Sequence, residues 1–222
     1  MNYIWDYDGT LTDTYRHEIA VLWNIMKKYG LNRRTTKKQT YALMRVGYYN
    51  VMALPGMTDE IYAEFRNRGL KTGDEEAEPR ILFYGDCEAV FKAICEKGGK
   101  NFIYTHRDSS SLGYYLEASG LDRYITDRLT ADEGFPMKPE PDALLELIRR
   151  NGLDPSETIM TGDRVIDGLA GKNAGIRSAI VNWAPALPDG TSPAVDAARR
   201  GIDYICPTLT DFALTMGIFD AD

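Results

Sequence analysis

Asn2-Tyr3-Ile4-Trp5-Asp6-Tyr7-Asp8-Gly9-Thr10 stands almost at the start of a 222-residue chain. The first four residues read as a short strand, and Asp8-Gly9-Thr10 as the turn that ends it. Strand side chains alternate in direction, so a spacing of two puts the Asp6 and Asp8 carboxylates on the same side. Such a pair gains chemical meaning only if other loops converge on it.

The segment that follows, from residue 15 to about residue 78, reads as helical and contains no convincing strand. Ile19, Leu22, Trp23 and Met26 recur at helical spacing until Gly30. Thr35 or Thr36 can cap a second helix, with Tyr41, Met44 and Tyr48 along one side. Pro55-Gly56 interrupts, and residues 58–68 form a third pattern carrying Ile61, Tyr62 and Phe65.

From Ile81 the pattern changes to alternation. Helices are expected at 86–97, 109–119, 141–150 and 167–173, and from Thr208 onward. Strands are expected at 101–105, 124–129, 158–161, 177–182 and 203–206. Repeated strand–helix alternation predicts an α/β fold, a parallel sheet covered by helices on both faces. Such sheets bind ligands beyond the carboxyl ends of their strands.

The polar residues that fall just after the predicted strands are therefore the candidates. Asp6 and Asp8 follow the first; Thr105, His106 and Arg107 follow the second. Gly162-Asp163 follows the fourth, with Asp167 four residues on, and Lys138-Pro139 lies between the third strand and the next helix. An aspartate can attack phosphorus and split a hydrolysis into two steps. A second carboxylate can protonate the leaving alkoxide and then activate water. Clustered carboxylates repel one another, and Mg²⁺ takes oxygen ligands, a demand that Asp163 and Asp167 fit. Thr105 can donate to a phosphoryl oxygen and Lys138 can offset its charge. His106 either shapes the phosphate site or serves a structural role.

Composition agrees. A hydrophobic content of 44%, a charged content of 27% and a net charge of -7 describe an ordinary globular protein. They argue against a nucleic-acid binder, which needs a basic stripe. Cys87, Cys95 and Cys206 form no C-x-x-C pair. Cys87 and Cys95, on one helix, would lie about 12 Å apart, beyond the roughly 7 Å limit for a disulfide. A reduced, cytoplasmic protein is expected, with no export signal and no membrane span.

Asp6-Tyr7-Asp8-Gly9-Thr10 resembles the D-x-D-G-T motif of the haloacid dehalogenase superfamily of phosphatases. Thr105 ending its strand, Lys138 before Pro139 and Gly162-Asp163 with Asp167 resemble that family's other three motifs, in the same order. The look is nearest to the phosphoglycolate-phosphatase-like branch. The resemblance implies a Rossmann-like core (1–14 and 81–222) with an inserted α-helical cap (15–80). It implies Asp6 as nucleophile and Asp8 as acid–base. It also implies Mg²⁺ held by Asp6, Asp8 (through its carbonyl), Asp163 and Asp167, and phosphate held by Thr105, His106 and Lys138. Dehalogenases lack the second aspartate, and transporting ATPases resemble D-K-T-G-T, which is absent here.

The implied substrate is a small phosphorylated metabolite. The alternatives are a sugar-phosphate mutase with the same motifs, or a non-catalytic phosphate-binding regulator, in which Asp6 or Asp8 would be lost. In the helical segment, Lys37, Lys38 and Arg45 are expected on a solvated face, and Tyr48 and Tyr49 in packing. Trp5 and Trp23 are expected in the core.

Overall fold

The computed structural model describes residues 1–69, 83–184, 186, 190 and 192–220. Among these, six strands pair in parallel: β1 (Asn2–Trp5), β2 (Lys100–Tyr104), β3 (Ile125–Leu129), β4 (Thr158–Gly162), β5 (Arg177–Val181) and β6 (Tyr204–Cys206). Their order is β3-β2-β1-β4-β5-β6. The chain builds outward from β1 on one side and then returns to build on the other. The switch therefore lies between β1 and β4, where a doubly wound sheet opens a crevice at its carboxyl edge. The backbone amide of Asp6 continues this ladder one step beyond β1, donating to the Thr161 carbonyl at 2.8 Å.

Alternation along β1 divides the core. Tyr3 and Trp5 face a cluster built with α4 (Cys87–Glu96), α5 (Ser109–Ser119) and α9 (Leu209–Thr215). Ile4 faces the opposite cluster, built with α6 (Asp142–Asn151) and α7 (Val165–Asn173). Both faces being covered explains why β4 is buried along its whole length. Trp5 is fully buried, as expected of a core residue, and its indole donates to Asn101 Oδ1 at 3.0 Å.

Three helices, α1 (Thr14–Lys28), α2 (Lys37–Val46) and α3 (Asp59–Gly69), surround their own apolar cluster of Ile19, Leu22, Met26, Met44 and Phe65. Thr36 caps α2 through a reciprocal bond with Gln39, as its sequence position suggests. Trp23 is partly buried against this cluster. The predicted boundary at 80/81 lies outside the described residues.

Several expectations need correction. Tyr48 is not on α2, which ends at Gly47; it begins a 3-10 turn spanning Tyr48–Ala53. Helix α7 starts at Val165 because the Asp167 carboxylate accepts from the Arg164 backbone amide at 2.9 Å, closing the first turn. An unpredicted helix, α8 (Pro193–Arg199), follows Ser192-Pro193, with proline in its first turn. Cys87, Cys95 and Cys206 are all free, in keeping with the expected absence of a disulfide. Among the described residues no helix is long and apolar enough to cross a membrane.

Candidate active site

Asp6 leaves β1 buried, with a donor on each carboxylate oxygen: Lys138 Nζ at 2.6 Å from Oδ1, and Thr10 Oγ1 at 3.1 Å from Oδ2. Lys138 Nζ also donates to the Tyr104 carbonyl at 3.0 Å and lies 2.9 Å from Asp167 Oδ1. Its backbone amide donates to His106 Nε2 at 3.0 Å, so His106 fixes the loop that carries the lysine. Burial, aided by the Lys138 and Arg164 charges, pushes His106 down to about 4, which keeps that nitrogen an acceptor.

Asp6, Asp163 and Asp167 offer carboxylate oxygens that all lie within 4.8 Å of one another. Burial drives the Asp6 and Asp163 carboxyls upward, with their neighbouring carboxylates adding to it. Asp167 is also buried, yet Lys138 and Arg164 outweigh that and hold it below the usual range. The cluster fits a hard divalent cation: it is carboxylate-rich, buried, and Asp163 Oδ1 has no hydrogen-bond partner. Gly9 is demanded here. Its φ is +88°, and a Cβ would stand 2.5 Å from Asp163 Oδ2.

Asp8 is not among those three carboxylates. Arg107 binds it through two bonds, and the Arg107 backbone amide donates to Thr105 Oγ1 at 3.1 Å. Asp6, Asp8, Thr105, His106 and Arg107 nonetheless line one cavity of about 330 Å³, which Tyr15, Glu18, Tyr48 and Arg66 close from the helical segment. The seven predicted site residues thus gather at the carboxyl edge of the sheet.

Further residues take part, among them Arg45 and Tyr48, which the sequence assigns to a solvated face and to packing. Arg45 is buried, not solvated: its Nη2 lies 3.3 Å from Asp163 Oδ2 and also donates to the Asn182 carbonyl, while its guanidinium stacks 4.6 Å from the Tyr15 ring centroid. Lys37 and Lys38 are exposed as expected, whereas Tyr49 is 68% exposed and so is not packing in a core. Glu18, Tyr48 and Arg164 all line the cavity. Glu18 did carry a sequence signal, because it interrupts the buried α1 stripe of Tyr15, Ile19, Leu22 and Met26 with a carboxylate.

Residues 3–181 match the haloacid dehalogenase-like hydrolase family. The chain belongs to this family. Haloacid dehalogenase-like hydrolases are enzymes, and the phosphatase class expected from the four motifs stands. The chain is similar to the pyrophosphatase PpaX of Halalkalibacterium halodurans, 29% identical over 95% of this chain and 90% of that protein. It is likewise similar to PpaX of Bacillus velezensis, 28% identical over 81% and 82%. Two solved structures share the fold. A HAD family hydrolase from Deinococcus radiodurans, with bound phosphate and sodium, has a TM-score of 0.75 at 16% identity, over 100% of this chain and 98% of that one. A predicted phosphoglycolate phosphatase from Haemophilus somnus has a TM-score of 0.73 at 18% identity, over 97% and 96%.

Proposed function

We propose that the protein hydrolyses a small phosphomonoester through an aspartyl-phosphate on Asp6. The observation that carries this reading is Asp6 itself, buried at the switch point with Lys138 and Thr10 fixing both its oxygens. In the first step an Asp6 oxygen attacks phosphorus, the ester P–O bond breaks, and Asp8 gives its proton to the departing alkoxide. In the second, Asp8 takes a proton from water, the water oxygen attacks phosphorus, and the bond to Asp6 breaks to release phosphate. Lys138 supports the charge on the transferring group, and Thr105 and the Arg107 loop bound the space around it.

Asp6, Asp163 and Asp167, with the Asp8 carbonyl, would hold Mg²⁺, which when bound supplies positive charge beside the phosphoryl oxygens. The helical segment that follows the first motif acts as a cap, laying Glu18, Tyr48 and Arg66 over the cavity and limiting water.

Phosphate release from a metabolite panel with Mg²⁺, including pyrophosphate because of the PpaX relatives, tests the reading. Asp6→Asn keeps the shape of the side chain and should abolish release while the fold survives. Retained turnover in that variant would overturn the mechanism, and isomer interconversion without phosphate release would favour a mutase.

A further inference from the structure

Glu18 is only 3% exposed, lines the cavity over Asp6 and Asp8, and its Oε2 has no hydrogen-bond partner. A buried carboxyl oxygen without a partner costs free energy, so its place in the roof of a substrate cavity points to a ligand group that completes it. The Tyr48 hydroxyl stands beside the same carboxyl. The Tyr48 ring stacks on Tyr15, with centroids 5.7 Å apart, and the Arg66 guanidinium lies 5.2 Å from its centroid.

The charges facing Glu18 decide what that group is. Asp8 and Arg107 neutralise each other through two bonds, which leaves Arg66 as the cation set against the Glu18 carboxyl. The roof therefore offers one carboxyl, one phenol and one guanidinium, all of them hydrogen-bonding groups. An anionic leaving group has no proton to donate to Oε2, and a plain hydrocarbon would leave Oε2 unsatisfied. A hydroxyl both donates to Oε2 and accepts from the phenol or guanidinium. Burial pushes Glu18 up to about 8, so near neutrality the carboxyl is largely protonated and is a poor partner for an ammonium.

We propose that Glu18 and Tyr48 form a hydroxyl-recognising subsite, making the preferred substrate the phosphate ester of a polyhydroxylated alcohol. This rests on the phosphatase reading above and names its substrate class. It separates the chain from its pyrophosphatase relatives, whose name implies an anionic leaving group.

The test compares kcat/KM for sorbitol 6-phosphate, glycerol 3-phosphate, phenyl phosphate, phosphoglycolate and pyrophosphate, in the wild type, Glu18→Gln and Glu18→Ala with Mg²⁺. The wild type should favour the two polyol esters. The ratio of sorbitol 6-phosphate to phenyl phosphate should fall about tenfold in Glu18→Ala, the worth of one hydrogen bond, with the loss mainly in KM. Glu18→Gln, which still donates and accepts, should keep most of the ratio. An unchanged ratio in Glu18→Ala, or a wild type that prefers pyrophosphate or phosphoglycolate, overturns the subsite. The wild-type panel decides alone if the alanine variant does not fold. A wild type inactive even on phenyl phosphate would instead sink the hydrolytic reading and this subsite with it.

Discussion

Arg107 grips both oxygens of the Asp8 carboxylate, Nη2 to Oδ1 at 2.6 Å and Nε to Oδ2 at 3.2 Å. Burial works to raise the Asp8 carboxyl, but the charge and hydrogen bonds of Arg107 outweigh it and hold the group below its ordinary value. On the proposed mechanism this favours Asp8 as the base of the second step, while the first step draws on the protonated fraction that gives its proton to the leaving alkoxide.

Removing the grip should move the pH profile. Arg107→Ala releases Asp8 upward, so a larger share is protonated at a given pH, which favours the acid of the first step and depletes the base of the second. The acidic limb of kcat should shift to higher pH, and Arg107→Lys, which keeps the charge but loses the two-pronged geometry, should shift it less. A limb that stays in place would remove Asp8 from the role of base. Asp8→Asn, measured beside them, should lower kcat by about 10²–10⁴-fold, the range of general acid–base catalysis.

Arg45 and Asp163 make a different kind of contact, a buried pair 3.3 Å long between α2 and the loop after β4. Truncation to Arg45→Ala leaves the Asp163 carboxylate short of a partner, at a cost of about 3 kcal/mol where the group is ionised. A cation bound at Asp163 should restore part of that loss. Thermal melts should therefore show a lower Tm for the variant without Mg²⁺ and a larger upward shift on adding it than in the wild type. Equal Mg²⁺ shifts in both proteins would mean that Arg45 and the cation do not share Asp163.

The contrast between these two arginines shows where the sequence was readable. Residues just beyond strand ends follow from topology, so apolar runs such as 101–104 and 158–161 led directly to Thr105 and Asp163. Local chemistry also marked the helix ends, at Thr36 and at Gly120, whose left-handed backbone stops α5. Arg45 had no such marker. It is 118 positions from Asp163, and a charge on an amphipathic helix looks the same whether it faces water or a buried carboxylate. Tyr48 was misplaced because its spacing fits α2, while Gly47 in fact ends that helix.

Gly9 offers a test of packing at the same loop. Its φ of +88° is strained for any L side chain, and an added Cβ would press on Asp163 and on the Tyr15 ring. Gly9→Ala should lower stability by at least the 1–2 kcal/mol, roughly, of the left-handed backbone alone. Its activity should fall further than that loss explains, because Asp163 must move. A variant that keeps full kcat with only a lowered Tm would show that the Asp163 position is not critical to turnover.

Glu18 sets a pH dependence of stability with a definite sign. Its carboxyl is raised to about 8 in the fold by burial, against about 4.3 in an unfolded chain. A group raised on folding contributes stability that is fully present below the unfolded value and lost as pH rises through the folded one. The wild type should therefore lose stability progressively from mildly acid pH to about 8, then level off, as far as Glu18 is concerned. Glu18→Gln removes the titrating proton while keeping the size and the hydrogen-bonding atoms of the side chain. The difference in unfolding free energy between the two proteins, measured by denaturant titration at several pH values, should move in favour of Glu18→Gln as pH rises. A difference that does not change with pH would mean that Glu18 keeps an ordinary carboxylate range in the fold and is ionised near neutral pH.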